Sequence, residues 1–242
     1  MATRASSTAR TRRAPPGRTD GEATRAAIVA AAERLFAERG IDDVSLQEIN
    51  RAARQRNRSA VQYHFGTKEG LIHAILDKHT PAIAERRREA LDSLDPKARR
   101  DVRRLAEILV HPAAEKLDDP DGGVAFLRVN AELIGHPQFS LLHLNARRAN
   151  PQADRLREWT ARACPHLPQA LWMPRWLLVT GLLFHGLADY ARLAGHRRKA
   201  MPMPERAVFV SSLVDSVVAL LEAPVSKSTR ARLRAGDRKE KS

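Results

Sequence analysis

Ser45 and Glu48 stand three residues apart, directly ahead of an apolar run, and this pair fixes the start of a helix. At that spacing each side chain bonds a backbone N–H that the first turn leaves unpaired. Val44, before the cap, and Ile49 have the separation of a hydrophobic staple, which sets the angle at which the chain joins the helix. Leu46, Ile49 and Ala53 recur at i, i+3 and i+7, a narrow apolar face on a helix of about two turns. A second short helix is expected from near Asn57, with Val61 and Phe65 inward and Arg58, Ser59, Gln62 and Tyr63 outward. Two short helices with a polar, basic connection match the helix-turn-helix pattern, whose second helix enters the major groove of DNA.

The flanks extend this pattern. Thr19 and Glu22 offer another capping box, and Ile28, Ala31, Ala32, Leu35 and Phe36 keep helical spacing up to Gly40, suited to a stop. Thr67 is placed to cap a fourth helix with Leu71, Ile72, Ile75, Leu76 and Ile83 as its buried stripe and a bend at Pro81. The run Tyr63-His64-Phe65-Gly66-Thr67-Lys68-Glu69-Gly70-Leu71 resembles the junction between the third and fourth helices of the TetR family of bacterial transcriptional regulators. Residues Ala26 to Gly40 are similar to that family's first helix. The resemblance covers residues 20–78, about a quarter of the chain. Family members usually carry glycine in the turn where this chain has Arg54, and the connection from Arg54 to Asn57 is one residue longer than the commonest form.

A net charge of +14 favours a polyanionic partner, nucleic acid or an anionic membrane surface. The lone Cys164 excludes an internal disulfide and a cysteine-rich zinc site. The longest apolar run, Trp176 to Ala188, is about half of what a bilayer span needs, so it is read as a buried core helix and no membrane is expected as a partner. Residues 1–19 carry Arg4, Arg10, Arg12, Arg13 and Arg18 with Pro15-Pro16-Gly17, and are expected to be a disordered basic arm. Such an arm either touches phosphates and the minor groove or serves only as a solvated tail; a transit peptide is disfavoured, since the segment runs straight into the first helix.

After the small unit, Asp95-Pro96 reads as a cap with proline at the first helical position, ahead of Val102, Leu105, Ile108 and Leu109 and a stop near His111-Pro112. Asp118 to Gly123 is a turn cluster, followed by a helix that ends at Gly135-His136-Pro137. A further helix is expected from about 138 to 163 with an interruption at Pro151, then two strongly hydrophobic helices, about 171–194 and 204–222. No alternating β-branched run occurs, so the class is all-α: a three-helix DNA-binding module over 20–66, a larger helical ligand and dimerisation unit over 67–223, and a disordered basic tail over 224–242.

At the start of the reading helix Arg56, Asn57, Arg58, Ser59 and Gln62 are candidates for base edges, since Arg forks onto guanine and Asn or Gln onto adenine. The resemblance adds Gln47 as a base contact and Ser45, Tyr63, His64 and Lys68 as phosphate contacts; Thr67 directs a helix N-terminus at the backbone. Taken alone, such a run reads as a solvated basic surface; the capped helix before it and the junction after it favour DNA. His64 lacks a second ligand at metal spacing, Cys164 and His166 lie in an unspecified proline-bracketed connection, and no hydrolase, nucleotide or metalloprotease motif occurs. No enzyme activity, cofactor or metal is expected.

His185 reads as a buried core or interface histidine, with a ligand pocket as the second reading. Phe126, Asn130, Leu133, Trp176, Phe184 and His185 are the candidate pocket, although such aromatics are more often core. Gly181, Phe209, Leu213, Val217 and Leu220 are the candidate dimer interface, a symmetric four-helix bundle. What the resemblance implies is a cytoplasmic, nucleoid-associated homodimeric repressor on double-stranded DNA with a near-palindromic operator, released by an unidentified small-molecule ligand. An activator, a regulator without an inducer, and a non-specific nucleoid-structuring protein are the alternatives.

Overall fold

The computed structural model describes residues 18–57, 59–139, 144, 151–195 and 203–239. Among them lie ten α-helices and no strand. They are α1 (Arg18–Arg39), α2 (Leu46–Ala52), α3 (Ala60–Phe65), α4 (Lys68–Asp92), α5 (Val102–Ala114), α6 (Gly123–Gly135), α7 (Pro151–Ala163), α8 (Gln169–Gly195), α9 (Arg206–Glu222) and α10 (Lys227–Lys239).

The caps explain most boundaries. The Ser45–Glu48 box is present in both directions: Glu48 N–H donates to Ser45 Oγ (3.2 Å) and Ser45 N–H to Glu48 Oε2 (2.9 Å). Gly40, at φ +91°, follows the end of α1, and Thr67 accepts from Gly70 N–H (3.1 Å) at the start of α4. A side chain at Gly70 would place Cβ 2.1 Å from the Phe65 carbonyl oxygen, so the α3–α4 corner closes only with hydrogen there. α4 then runs through Pro81 without a break.

Four expectations are corrected. α1 begins at Arg18, so Thr19 lies inside the first turn instead of capping it. α5 is capped by Asp101, which accepts from the N–H groups of Arg103 and Arg104; Asp95 instead closes a turn through Lys97 and Ala98. α5 also continues past Pro112 to Ala114. The stretch after Pro224 is not simply a tail: Ser226 accepts from Thr229 N–H (3.2 Å), and α10, whose middle from Arg230 to Ala235 is made of strong helix formers, runs to Lys239. Of the expected arm over residues 1–19, Arg18 and Thr19 belong to α1, while residues 1–17, like Leu141, Leu142 and Arg58, lie outside the described residues.

α1 to α3 pack around Ile28, Phe36, Ile41, Val44, Ile49 and Val61, and the same core continues into the second unit through Leu71, Ile72 and Ile75 of α4. α6 lies along α8 and also against α1, while α9 packs on α5 and α8. The two units are therefore fastened together. Glu132 of α6 accepts from Ile41 N–H (2.6 Å). His136 Nδ1 accepts from the N–H groups of Gln138 and Phe139, which leaves the proton on Nε2 to donate to Asp42 (3.2 Å).

Candidate nucleic-acid interface

From Ile49 to Lys68 the chain has no acidic residue, and four arginines fall within that interval. α2 presents Gln47 to solvent while Ile49 and Asn50 turn inward. Asn50 is the organiser that the sequence reading missed: its Nδ2 donates to the Asn57 carbonyl (2.8 Å) and pins the α2–α3 turn from beneath. Its signal was present, an amide beside Ile49 on the apolar face of a capped helix.

The turn itself is built from Arg54 at φ +53°, the only non-glycine with positive φ among the described residues. An L side chain in that region is strained by about 1–2 kcal/mol, which explains why glycine suits the position. Asn57 Oδ1 accepts from Ser59 N–H (3.0 Å) and its carbonyl accepts from Ala60 N–H (3.1 Å). That local Asx turn delays the helix: α3 starts at Ala60, not near Asn57. Arg56, Asn57 and Ser59 therefore approach the helix from the turn, and Gln62 is the base-contact candidate that lies within α3. All four are exposed, while Ala60 and Val61 on the opposite face are buried.

Tyr63 is 83% exposed, an unusual position for a large ring, and the half-buried His64 meets it edge-on at 5.1 Å. Phe65 closes the inner side beneath the Arg25 guanidinium, 5.2 Å from its ring centre. Ser45 and Thr67 are exposed, but each already serves a helix cap. Lys68 is half-buried: Nζ donates to the carbonyls of Ile41 (2.7 Å) and Asp42 (3.3 Å), so it braces the α1–α2 turn. Arg39 and the Ser45 N–H and hydroxyl hold the Glu48 carboxyl down at about 2, with the backbone bond foremost.

In the second unit the candidate residues separate. Phe126 is buried against His79 (4.6 Å between ring centres) and Phe184 meets it edge-on at 6.4 Å. Asn130 donates to the Phe126 carbonyl of its own helix (2.9 Å), and Leu133 is fully buried. Trp176 instead pairs with Trp172, 5.7 Å away. His185 is exposed over a shallow cleft beside Arg128 and Asp189, so of the core and interface alternatives the core one is corrected. Leu213 and Val217 are buried within their own chain, so they are corrected from dimer interface to core; Phe209 and Leu220 are partly buried. Gly181 has open space above it, whereas a side chain at Gly186 would meet Leu213 at 3.4 Å. Cys164 is buried and its thiol is pushed up to about 11 by desolvation, while His166 donates to the Leu221 carbonyl (3.1 Å). Among the described residues no single helix is long and apolar enough to cross a membrane.

The family model for bacterial regulatory proteins, tetR family, matches residues 28–75, and that for the tetracyclin repressor-like C-terminal domain matches residues 107–234. The chain belongs to the TetR family. Over 79 residues it is 38% identical to the probable HTH-type transcriptional regulator ArpR of Pseudomonas putida, covering 32% of this chain and 37% of that one. It is 48% identical over 67 residues to the HTH-type transcriptional repressor Rv3405c of Mycobacterium tuberculosis (strain ATCC 25618 / H37Rv), 27% of this chain and 33% of the other. The chain thus spans about a third of the length of the curated relatives it matches. Among solved structures, native NalD, described as the secondary repressor of the MexAB-OprM multidrug efflux pump in Pseudomonas aeruginosa, shares the fold at TM-score 0.52 and 22% identity, over 82% of this chain and 96% of that one. A putative TetR-family transcriptional regulator from Rhodococcus sp. does so at 0.52 and 18%, over 83% and 99%. The TetR-family helix-turn-helix is α2 and α3, with α1 and the start of α4 as its frame.

Proposed function

We propose that this TetR-family chain is a homodimeric transcriptional repressor that occupies a near-palindromic operator and leaves it when a small molecule binds the second unit. The observation that carries the reading is α3: packed on α2 and α4, it buries Ala60 and Val61 on one face and presents Gln62 and Tyr63 on the other, with Arg56, Asn57 and Ser59 ahead of it. A rod so exposed, framed by positive charge and without acids, suits the major groove. Arg56, Asn57, Ser59, Gln62 and Gln47 are assigned to base edges. Ser45, Tyr63, His64 and Thr67 are assigned to phosphates, and Lys68 acts mainly by holding the α1–α2 turn.

Dimerisation is assigned to the outer faces of α8 and α9. Met173, Leu177, Leu178 and Val208 are large apolar residues left exposed there, Leu178 by 59% and Val208 by 58%, and Gly181 leaves room for a second backbone. A two-fold axis through this face sets two copies of α3 about one DNA turn apart, ~34 Å or a multiple of it. The relatives named as repressors favour repression over activation. A ligand shifts the dimer off DNA only by its differential affinity for the two arrangements.

Selection of bound fragments from random DNA, followed by footprinting, tests the reading. A palindromic consensus protected on both half-sites, and lost with Gln62→Ala at particular base pairs by ~1–3 kcal/mol, supports it. Uniform coating of DNA without a consensus overturns it in favour of a non-specific architectural protein.

A further inference from the structure

The 13 residues of α10 hold six cations and a single acid, Asp237. Thr229 and Leu233, at i and i+4, are half-buried and turn toward the body of the chain. Lys227, Arg230 and Arg234 fall at i, i+3 and i+7 on a different side, all exposed, and Arg232 is exposed on the other flank. Arg230 Nε donates to the Val225 carbonyl (3.2 Å), which steadies its stem; among the described residues no carboxylate pairs with any of the four cations. Arg230 and Arg234 are like charges at i and i+4, which weakens a helix, and no other helix packs along α10 to offset it. A line of negative charge laid against the stripe removes that repulsion.

The stripe lies at the pole away from the reading helix. α4 starts beside α3 and runs 25 residues, ~37 Å, to Asp92, which accepts from Arg155 of α7 (2.6 Å). The connection after α7 then meets the end of α9: His166 donates to the Leu221 carbonyl, and Arg175 to the carbonyls of Leu220 and Ala223. At its other end α8 reaches the reading head, where His185, Asp189 and Arg192 share a cleft with Ala37 and Glu38 of α1, and Tyr190 donates to the Pro204 carbonyl ahead of α9. α9 therefore runs away from the reading head, and α10 continues past its end at a bend of 51°.

We infer that α10 is a second, sequence-independent contact for duplex DNA, placed so that DNA held there is not the duplex held by α3. A helix that lies on a membrane needs a broad apolar face, and the one large apolar residue of α10, Leu233, is turned to the body. α10 holds no Asn or Gln to read bases, whereas exposed Arg and Lys suit the evenly spaced phosphates of a backbone. With α3 on one duplex and α10 on another, the protein bridges two segments of DNA.

The test loads the full chain onto a bead-bound duplex, washes it, and offers a fluorescent duplex of unrelated sequence. The parent is expected to retain the second duplex. The triple variant Lys227→Gln, Arg230→Gln, Arg234→Gln should stay on the beads with its Tm kept, yet lose ~10-fold or more of the captured fluorescence. With three phosphate contacts gone, the log–log salt dependence of capture should flatten by about 2–3 units. The double variant Arg230→Lys, Arg234→Lys keeps the charge and should keep capture. Equal capture by the parent and the neutralised variant overturns the inference. So does a fall in Tm on neutralisation, which makes the stripe a structural element, or retention of phosphatidylserine vesicles in place of the duplex, which makes it a membrane contact. A consensus operator bound without capture of any second duplex sinks this inference and leaves the repressor reading standing.

Discussion

The Glu33 carboxylate on α1 and the His79 ring on α4 lie 2.5 Å apart, with each side chain only 2% exposed. Lys78 donates to the other Glu33 oxygen (2.9 Å) and to Asp121 (2.8 Å), while Asp119 faces the far side of the His79 ring at 3.7 Å. Gly122 makes the approach possible: a Cβ there would sit 2.1 Å from Glu33 Oε2. Three elements, α1, α4 and the turn ahead of α6, thus meet on one buried acid. Removing it strands the partners, so Glu33→Ala is expected to cost about 3–5 kcal/mol in guanidinium unfolding. A loss below ~1 kcal/mol would falsify the view that this cluster fastens the reading head to the second unit.

Arg54 is strained where glycine would not be. Arg54→Gly relieves the left-handed conformation, offset in part by the entropy that glycine loses on folding, for a net gain of up to ~1 kcal/mol. The denaturant midpoint should rise; a fall means that the arginine side chain contributes more than its backbone costs.

Asn50→Ala removes the bond to the Asn57 carbonyl and leaves that carbonyl to find water. The expected effect is ~1–2 kcal/mol of stability and weaker binding on every DNA sequence, since the turn holds all of the reading residues. Weakening confined to one base pair would instead make Asn50 a reader.

The Glu48 carboxyl titrates near 2 in the folded chain against an ordinary value of 4.5. A depressed folded value contributes stability that is fully present above 4.5 and is lost as pH falls towards 2. The difference in unfolding midpoint between the parent and Glu48→Gln should therefore hold constant from pH 7 to about 5 and shrink below it. A pH-independent difference would assign the effect to packing.

Leu178→Asp and Leu213→Asp separate interface from core. Leu178 is exposed and Leu213 buried, so the first should give a helical monomer by light scattering and circular dichroism. The second buries an unpaired charge and should unfold the chain. If Leu178→Asp stays dimeric, the two-fold contact lies elsewhere.

Local chemistry in the sequence determined the capped α2, the Thr67 start of α4, the stop at Gly40, the all-helical class and the polar face of α3. Each follows from spacing within one or two turns, so no distant partner is needed to read it. Tertiary contacts decided the rest. Leu213 and Val217 were expected at a dimer interface because periodicity shows which residues share a face, not which neighbour covers it; here the chain's own core does, with Leu213 beside Gly186 of α8. His185 looked buried because an apolar run hides how far a helix turns its other side to water. Asn57 sits in a turn and not in a helix because the Asn50 side chain reaches seven residues forward to hold its carbonyl. The Glu33–His79 pair joins residues far apart along the chain, and only the packing of whole helices gives such groups a common surrounding.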